Sequence, residues 1–306
     1  MKALPLTAPI GTPAMYKSSA TLVRWLAQKY NIPLDRNHII GHDNAPTPTQ
    51  DRLAAQHWDP GPFWNWGHYM DLVRGNVAAA EVPAIAPANA TIITIDPKFN
   101  SNKMSLQDCS STPGTCTTLP NQGTSIIYLH TAPNQNSPLL NDRTLHPNGD
   151  PGTMEVSDWS ASASAGEQYV VADHQGNWLA IWFGGQKGWF FNPANKPVAY
   201  YSTAPTITPK AGQASIPVYG RPVPEASAYP SGVTPLQVVP LNYTIPAGQA
   251  YTALGGLSND YYYDLTVNYS APHDHEIFVG KTKYYQIMYN HRLAYVMASD
   301  VAAHNL

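Results

Sequence analysis

The stretch HIIGHDNAPTPTQDRLAAQHWDPGPFWNWGHYM, His38 to Met70, decides how this chain is read. A short apolar run ends in Gly41-His42, a proline-punctuated polar loop follows, and His57 and Asp59 then stand two residues apart. In an extended HWDP segment, residues two apart point the same way, so His57 and Asp59 share a face and Trp58 turns opposite. Pro60 favours extended geometry at Asp59. An imidazole nitrogen and a carboxylate oxygen both ligate zinc, at about 2.0–2.2 Å. The competing reading is plainer: histidines are commonly surface or satisfied core residues, and Asp-Pro-Gly is commonly a turn. A catalytic zinc usually takes three protein ligands, and spacing supplies two, with the third side chain free to stabilise charge on a substrate oxygen.

Upstream, Thr12-Pro13 reads as a helix N-cap with proline at the first helical position. MYKSSATLVRWLAQKY, from Met15 to Tyr30, is then an amphipathic helix with Met15, Leu22 and Leu26 on one face and Trp25 at its margin. Asn31 and Pro33 stop it. HII, from His38, reads as a short strand ending at Gly41-His42. GHYMDLVRG, from Gly67, reads as a second helix closed by Gly75. Residues 77–90 are Ala/Pro-rich and unpatterned, as in a semi-rigid linker.

Beyond the linker the pattern changes to short runs such as SIIYLHT, EQYVVAD, NWLAIWFGG and KGWFF, separated by Gly, Pro and Asn. That is the signature of small antiparallel barrels or sandwiches. The region repeats. SIIYLHTAP (from Ser125) pairs with SIPVYGRPVPE (from Ser215), AGEQYVV (from Ala165) with AGQAYTA (from Ala247), and NWLAIWFGGQKGWFF (from Asn177) with YYQIMYNHRLAYVM (from Tyr284). The order is kept, which implies two copies of one β module.

Composition narrows the function classes. The 306 residues suffice for about two domains, net charge is −3, and charged residues make up 12%, against roughly 25% in an ordinary domain. A basic footprint for nucleic acid is absent. The aromatic content, 19 Tyr and 8 Trp against 6 Phe, suits flat surfaces for sugars or peptides. Cys109 and Cys116 flank a turn-rich stretch and read as a disulfide, hence an oxidising compartment, with two free thiols as the alternative. Nothing approaches the roughly 18 consecutive apolar residues of a membrane span. The opening MKALPLTAPIGTPAMYK is broken by prolines and does not read as a secretory signal, so a start further upstream is expected.

The stretch MYKSSATLVRWLAQKYNIPLDRNHIIGHDNAP with HWDPGPFWNWGHYMDLV resembles the C-terminal half of the zinc-dependent N-acetylmuramoyl-L-alanine amidases, the type-2 amidase and peptidoglycan recognition protein family. The likeness covers residues 13–74. It implies that His42 and Asp59 are zinc ligands and that His57 stands near the tetrahedral intermediate, where the family places a Lys, His or Thr. The implied reaction is hydrolysis of the amide between N-acetylmuramic acid and the L-alanine of the stem peptide. The family's further histidine ligand and its Glu or Tyr lie upstream, and residues 1–12 contain neither His nor Glu. The expectation is therefore a partial amidase domain with an uncovered apolar helix face, weak zinc binding and little activity. The β modules resemble bacterial SH3-like domains through Gly188-Trp189, replaced in the second copy by Ala294-Tyr295. The alternative for Trp178, Trp182 and Trp189 is barrel core and turn packing.

The fold expected is multidomain: a partial α/β amidase domain (helix-strand-loop-helix, 1–75), a linker and Cys loop (76–120), then two SH3-like small barrels (121–200 and 205–303). The function expected is that of a zinc-dependent peptidoglycan hydrolase, secreted and acting at the cell wall, with no nucleic-acid partner and no membrane span. Its rivals are a noncatalytic wall-binding protein with a vestigial amidase segment, and a β-rich surface protein without wall affinity. His68 reads as packing, and the His273/His275 pair lacks a third ligand.

Overall fold

A computed structural model describes residues 12–75, 91–112, 115–255, 257–264 and 275–305. The Ala/Pro linker and His273 lie outside these.

The first unit holds three α-helices, α1 (Pro13–Tyr30), α2 (Gln50–Leu53) and α3 (Trp66–Arg74). The Thr12 hydroxyl accepts from the Met15 amide at 3.2 Å, as an N-cap should, and Asn31 closes α1 in the left-handed region (φ 54°). Asn65 caps α3 in the same way and Gly75 ends it. The buried side of α1 is not the expected one. Tyr16, Ala20 and Ala27 face inward, whereas Met15, Leu22 and Trp25 are 40%, 56% and 53% exposed. The reason lies in the partner. Tyr16 stacks on Trp64 (centroids 4.1 Å apart), Ser19 bonds Tyr69 at 2.8 Å, and the two alanines let α1 approach α3 closely. The face carrying Met15, Leu22 and Trp25 stays exposed among the described residues.

A second correction concerns residues 38–40, which form no strand. Asp35 accepts hydrogen bonds from the Asn37 and His38 amides, its carbonyl takes the Ile39 amide, and the chain turns. This local turn chemistry prevails because no described strand runs alongside to pair with. A 3₁₀ turn over His42–Asn44 follows.

The remainder is antiparallel β. Its strands are β1 (Ile92–Ile95), β2 (Gln107–Thr112), β3 (Thr115–Thr118), β4 (Ile126–Tyr128), β5 (Ser162–Ser164), β6 (Gln168–Gln175), β7 (Trp178–Phe183), β8 (Gln186–Phe191) and β9 (Ala199–Ser202). There follow β10 (Thr206–Pro209), β11 (Ser215–Pro217), β12 (Thr244–Pro246), β13 (Tyr251–Thr252), β14 (Ser258–Asp264), β15 (His275–Met288), β16 (Leu293–Met297) and β17 (Val301–His304). β2 and β3 form a hairpin joined by the Cys109–Cys116 disulfide.

Two copies of one pairing pattern are visible. In the first, β1 runs between β6 and β9, β4 pairs β5, and β6-β7-β8 is a meander. In the second, β10 runs between β13 and β17, β11 pairs β12, and β14-β15-β16 is the meander. Equivalent residues do equivalent work. Ile93 opposite Tyr169 corresponds to Ile207 opposite Tyr251, all at most 1% exposed. The single bridge His130↔Trp189 corresponds to Tyr219↔Tyr295, so Gly188-Trp189 and Ala294-Tyr295 occupy matching sites. Each copy has its own apolar core, around Ile93, Leu129 and Ile181 in one and Ile207, Val218 and Ile287 in the other.

No described sheet closes into a barrel. The described sheets are open, the largest with strand order β8-β7-β6-β1-β9. The connections that would complete a ring are reduced to isolated bridges such as His130↔Trp189, which a single residue pair cannot extend into a ladder.

Candidate metal centre

Two loops bring the candidate residues together. His42 opens the 3₁₀ turn. The Asp43 amide behind it donates to the Asp59 carbonyl at 2.8 Å, which clamps the 42–44 turn onto the HWDP segment. Gly41 precedes His42 where a Cβ would run into the Asp43 carboxylate and the Pro60 ring. Along residues 57–59 the predicted alternation holds: His57 and Asp59 are exposed, while Trp58 packs against the core of the first β module. The Asp59–Pro60 peptide is cis.

One ligand atom from each of His42, His57 and Asp59 lies within 4.8 Å of the others. Asp59 Oδ1 is 3.4 Å from His42 Nδ1 and 3.5 Å from His57 Nδ1. Two ligands about 2.0–2.2 Å from a common tetrahedral ion are about 3.3–3.6 Å apart, so both distances fit edges of such a tetrahedron. The imidazoles are 5.1 Å apart, centroid to centroid, and tilted by 49°. The three side chains are 47%, 70% and 65% exposed, so a substrate can reach a fourth position. The three residues singled out in the sequence are thus brought together. His68, on α3, lies against the Tyr16 ring and outside the cluster.

Beneath the loop is a buried polar layer that sequence reasoning missed. Asp43 Oδ2 is 3.2 Å from His291 Nε2, and His291 Nδ1 is 3.6 Å from Glu167 Oε1. The Asn44 amide donates to Glu167 Oε1 and to the His291 carbonyl, both at 2.8 Å. Glu167 also accepts from the Ser164 amide (2.6 Å) and the Tyr169 hydroxyl (2.7 Å). Arg36 joins the helical unit to the first β module by donating to the Ile39 and Ala165 carbonyls and to Asn44, with its guanidinium 3.5 Å from the Trp66 ring centre. Burial raises the Glu167 carboxyl above its ordinary range, against the pull of His291 and Arg36. Burial disfavours charge on His291, but Glu167 and Asp43 outweigh it and raise the imidazole. The missed signal was the repeat itself: Glu167 in AGEQY aligns with Gln249 in AGQAY, a charge placed where its copy is neutral.

Two imidazoles and a carboxylate facing solvent are donor types that ligate zinc. Residues 9–62, which include all three, match the family model described as N-acetylmuramoyl-L-alanine amidase. No curated protein matches the chain. The match supports a family resemblance to peptidoglycan amidases, and so to amidase-type hydrolases, for this segment. No helix among the described residues is long and apolar enough to cross a membrane.

Proposed function

We propose that the chain is a zinc-dependent amidohydrolase that cleaves the N-acetylmuramoyl–L-alanine amide of peptidoglycan, outside the cell. The observation that carries this is the pair of 3.4 and 3.5 Å separations from Asp59 Oδ1 to two imidazole nitrogens, inside a stretch that matches the amidase family. His42, His57 and Asp59 would hold the ion, and the donor chemistry fits zinc. When bound, zinc supplies Lewis acidity, polarising the amide carbonyl and lowering the pKa of the attacking water. The exposed face of the three residues admits a bulky glycan-peptide, while the Asp43–Asp59 backbone bond holds the two loops in register. His57 has a second role open to it, stabilising charge on the substrate oxygen. In this reading the two β modules are SH3-like wall-binding modules, supported by their shared pairing pattern and the matching positions of Trp189 and Tyr295.

The test is incubation of the zinc-supplemented chain with purified sacculi and with a soluble muramyl peptide, following newly freed L-alanine amines by mass spectrometry. Release is expected, with loss in His42→Ala and Asp59→Ala. If His57 is a ligand, His57→Ala loses metal as well. If it acts only on charge, the variant keeps metal and loses rate. Retention on sacculi without any amide cleavage would instead favour a noncatalytic wall-binding protein.

A further inference from the structure

The two β modules touch each other reciprocally through the turns that join their second and third meander strands. In the first copy the turn is Gly184-Gly185, both with positive φ, as a tight hairpin of this length prefers. It docks on the second copy: the Gly185 amide donates to the Tyr251 hydroxyl at 2.8 Å, and Gln249 donates to the Gly185 carbonyl at 2.9 Å. The equivalent turn of the second copy is Asn290-His291, followed by Arg292. It docks on the matching pair of the first copy: the Tyr169 hydroxyl donates to the Asn290 carbonyl at 3.0 Å, and His291 faces Glu167. The geometry is shared, but the chemistry has diverged. Only the second turn carries ionisable side chains, and only that turn reaches the 42–59 loop.

Arg292 is 2% exposed, and no carboxylate among the described residues forms an ion pair with it. Its guanidinium instead donates to the His57 carbonyl (3.2 Å), the His42 carbonyl (3.4 Å) and the Ala45 carbonyl (3.5 Å), with its carbon 4.8 Å over the Trp159 ring. A buried cation binds hard to whatever acceptors it has. Here two of the three acceptors are the main-chain carbonyls of candidate ligands from separate loops.

We propose that Arg292 is a positioning residue: through the backbone of His42 and His57 it fixes the separation of the two imidazoles, so that the second β module sets the metal affinity of the amidase segment. This rests on the metal reading above. It gives the β region a role within the site, independent of any hold on the cell wall.

The test is titration of the metal-free full-length chain with Co²⁺, read by the visible absorption of the bound ion, in the wild type, Arg292→Lys, Arg292→Gln and Val296→Ala. Val296, fully buried in β16, reports loss of stability alone. Amide hydrogen exchange of residues 42–59 is followed in parallel. Arg292→Gln is expected to weaken Co²⁺ binding by about 10–100-fold. Arg292→Lys, one ammonium replacing a fork, is expected to fall between it and the wild type. Exchange at the Asp43 and Ala45 amides should quicken in both, while Val296→Ala keeps the wild-type affinity at a lowered melting temperature. If Arg292→Gln does not fold, Arg292→Lys against Val296→Ala decides. Wild-type affinity in the folded arginine variants, or an equal loss in Val296→Ala, overturns the proposal and leaves the metal reading standing. Failure of the wild type to bind Co²⁺ or Zn²⁺ overturns the metal reading and this proposal with it.

Discussion

Gly41 shows how closely single residues constrain the candidate centre. A Cβ added there would fall on the Asp43 carboxylate and the Pro60 ring, and so push apart the turn that carries His42 and the loop that carries Asp59. Gly41→Ala is expected to cost about 1–3 kcal/mol of stability and to weaken zinc binding. Chemical denaturation and a zinc titration measure the two effects. At this scale the three candidate residues were legible, two as ligands and His57 as a charge-stabilising group, because their pattern is local: His57 and Asp59 alternate with Trp58, and His42 follows a glycine. Arg292 was not, because it meets His42 only across a sequence separation of 250. Burial pushes its guanidinium down only to about 10, so it remains charged at neutral pH. Nothing in the local pattern around YNHRL announces a buried cation.

At the scale of elements, periodicity gave the existence and ends of α1 and α3, but not which side of α1 is buried. That depends on what the helix packs against. Leu22→Gln is expected to change stability by no more than about 0.5 kcal/mol, whereas Ala20→Leu, at 1% exposure against α3, should cost about 1–3 kcal/mol. Thermal unfolding of the two variants compares them directly, and the reverse order would mean that the Leu22 face is covered. The strand expected at residues 38–40 failed for a related reason. Apolar β-branched residues suit a strand, but Asp35 supplied a turn and no partner edge was present. The β runs were more legible because their alternation and turn residues recur in order in both copies. Barrel closure was not, since it depends on pairing between strands distant in sequence.

In the whole molecule, the helical unit and the β region are joined by polar contacts, the Arg36 and Asn44 ones buried. Arg36 reaches Ala165, Asn44 reaches Glu167 and His291, and Gln50 accepts from the Asn242 amide at 2.8 Å. The groups facing His291 are Asp43, Glu167 and Arg292, with Arg36 beyond Glu167. His291 is raised above 6.5 in the folded chain, so its stabilisation is fully present below that pH and is lost as pH rises through the folded value. Glu167, raised above 4.5, has the same sign. Stability should therefore fall as pH rises above the ordinary imidazole value of about 6.5, and His291→Gln should flatten that slope, as urea unfolding at a series of pH values would show. The most direct measurement is zinc per chain by elemental analysis, after loading and dialysis of the purified protein, beside His42→Ala and Asp59→Ala. One zinc per wild-type chain and almost none in the variants is the expected result; almost none in the wild type would contradict a three-residue metal centre at His42, His57 and Asp59.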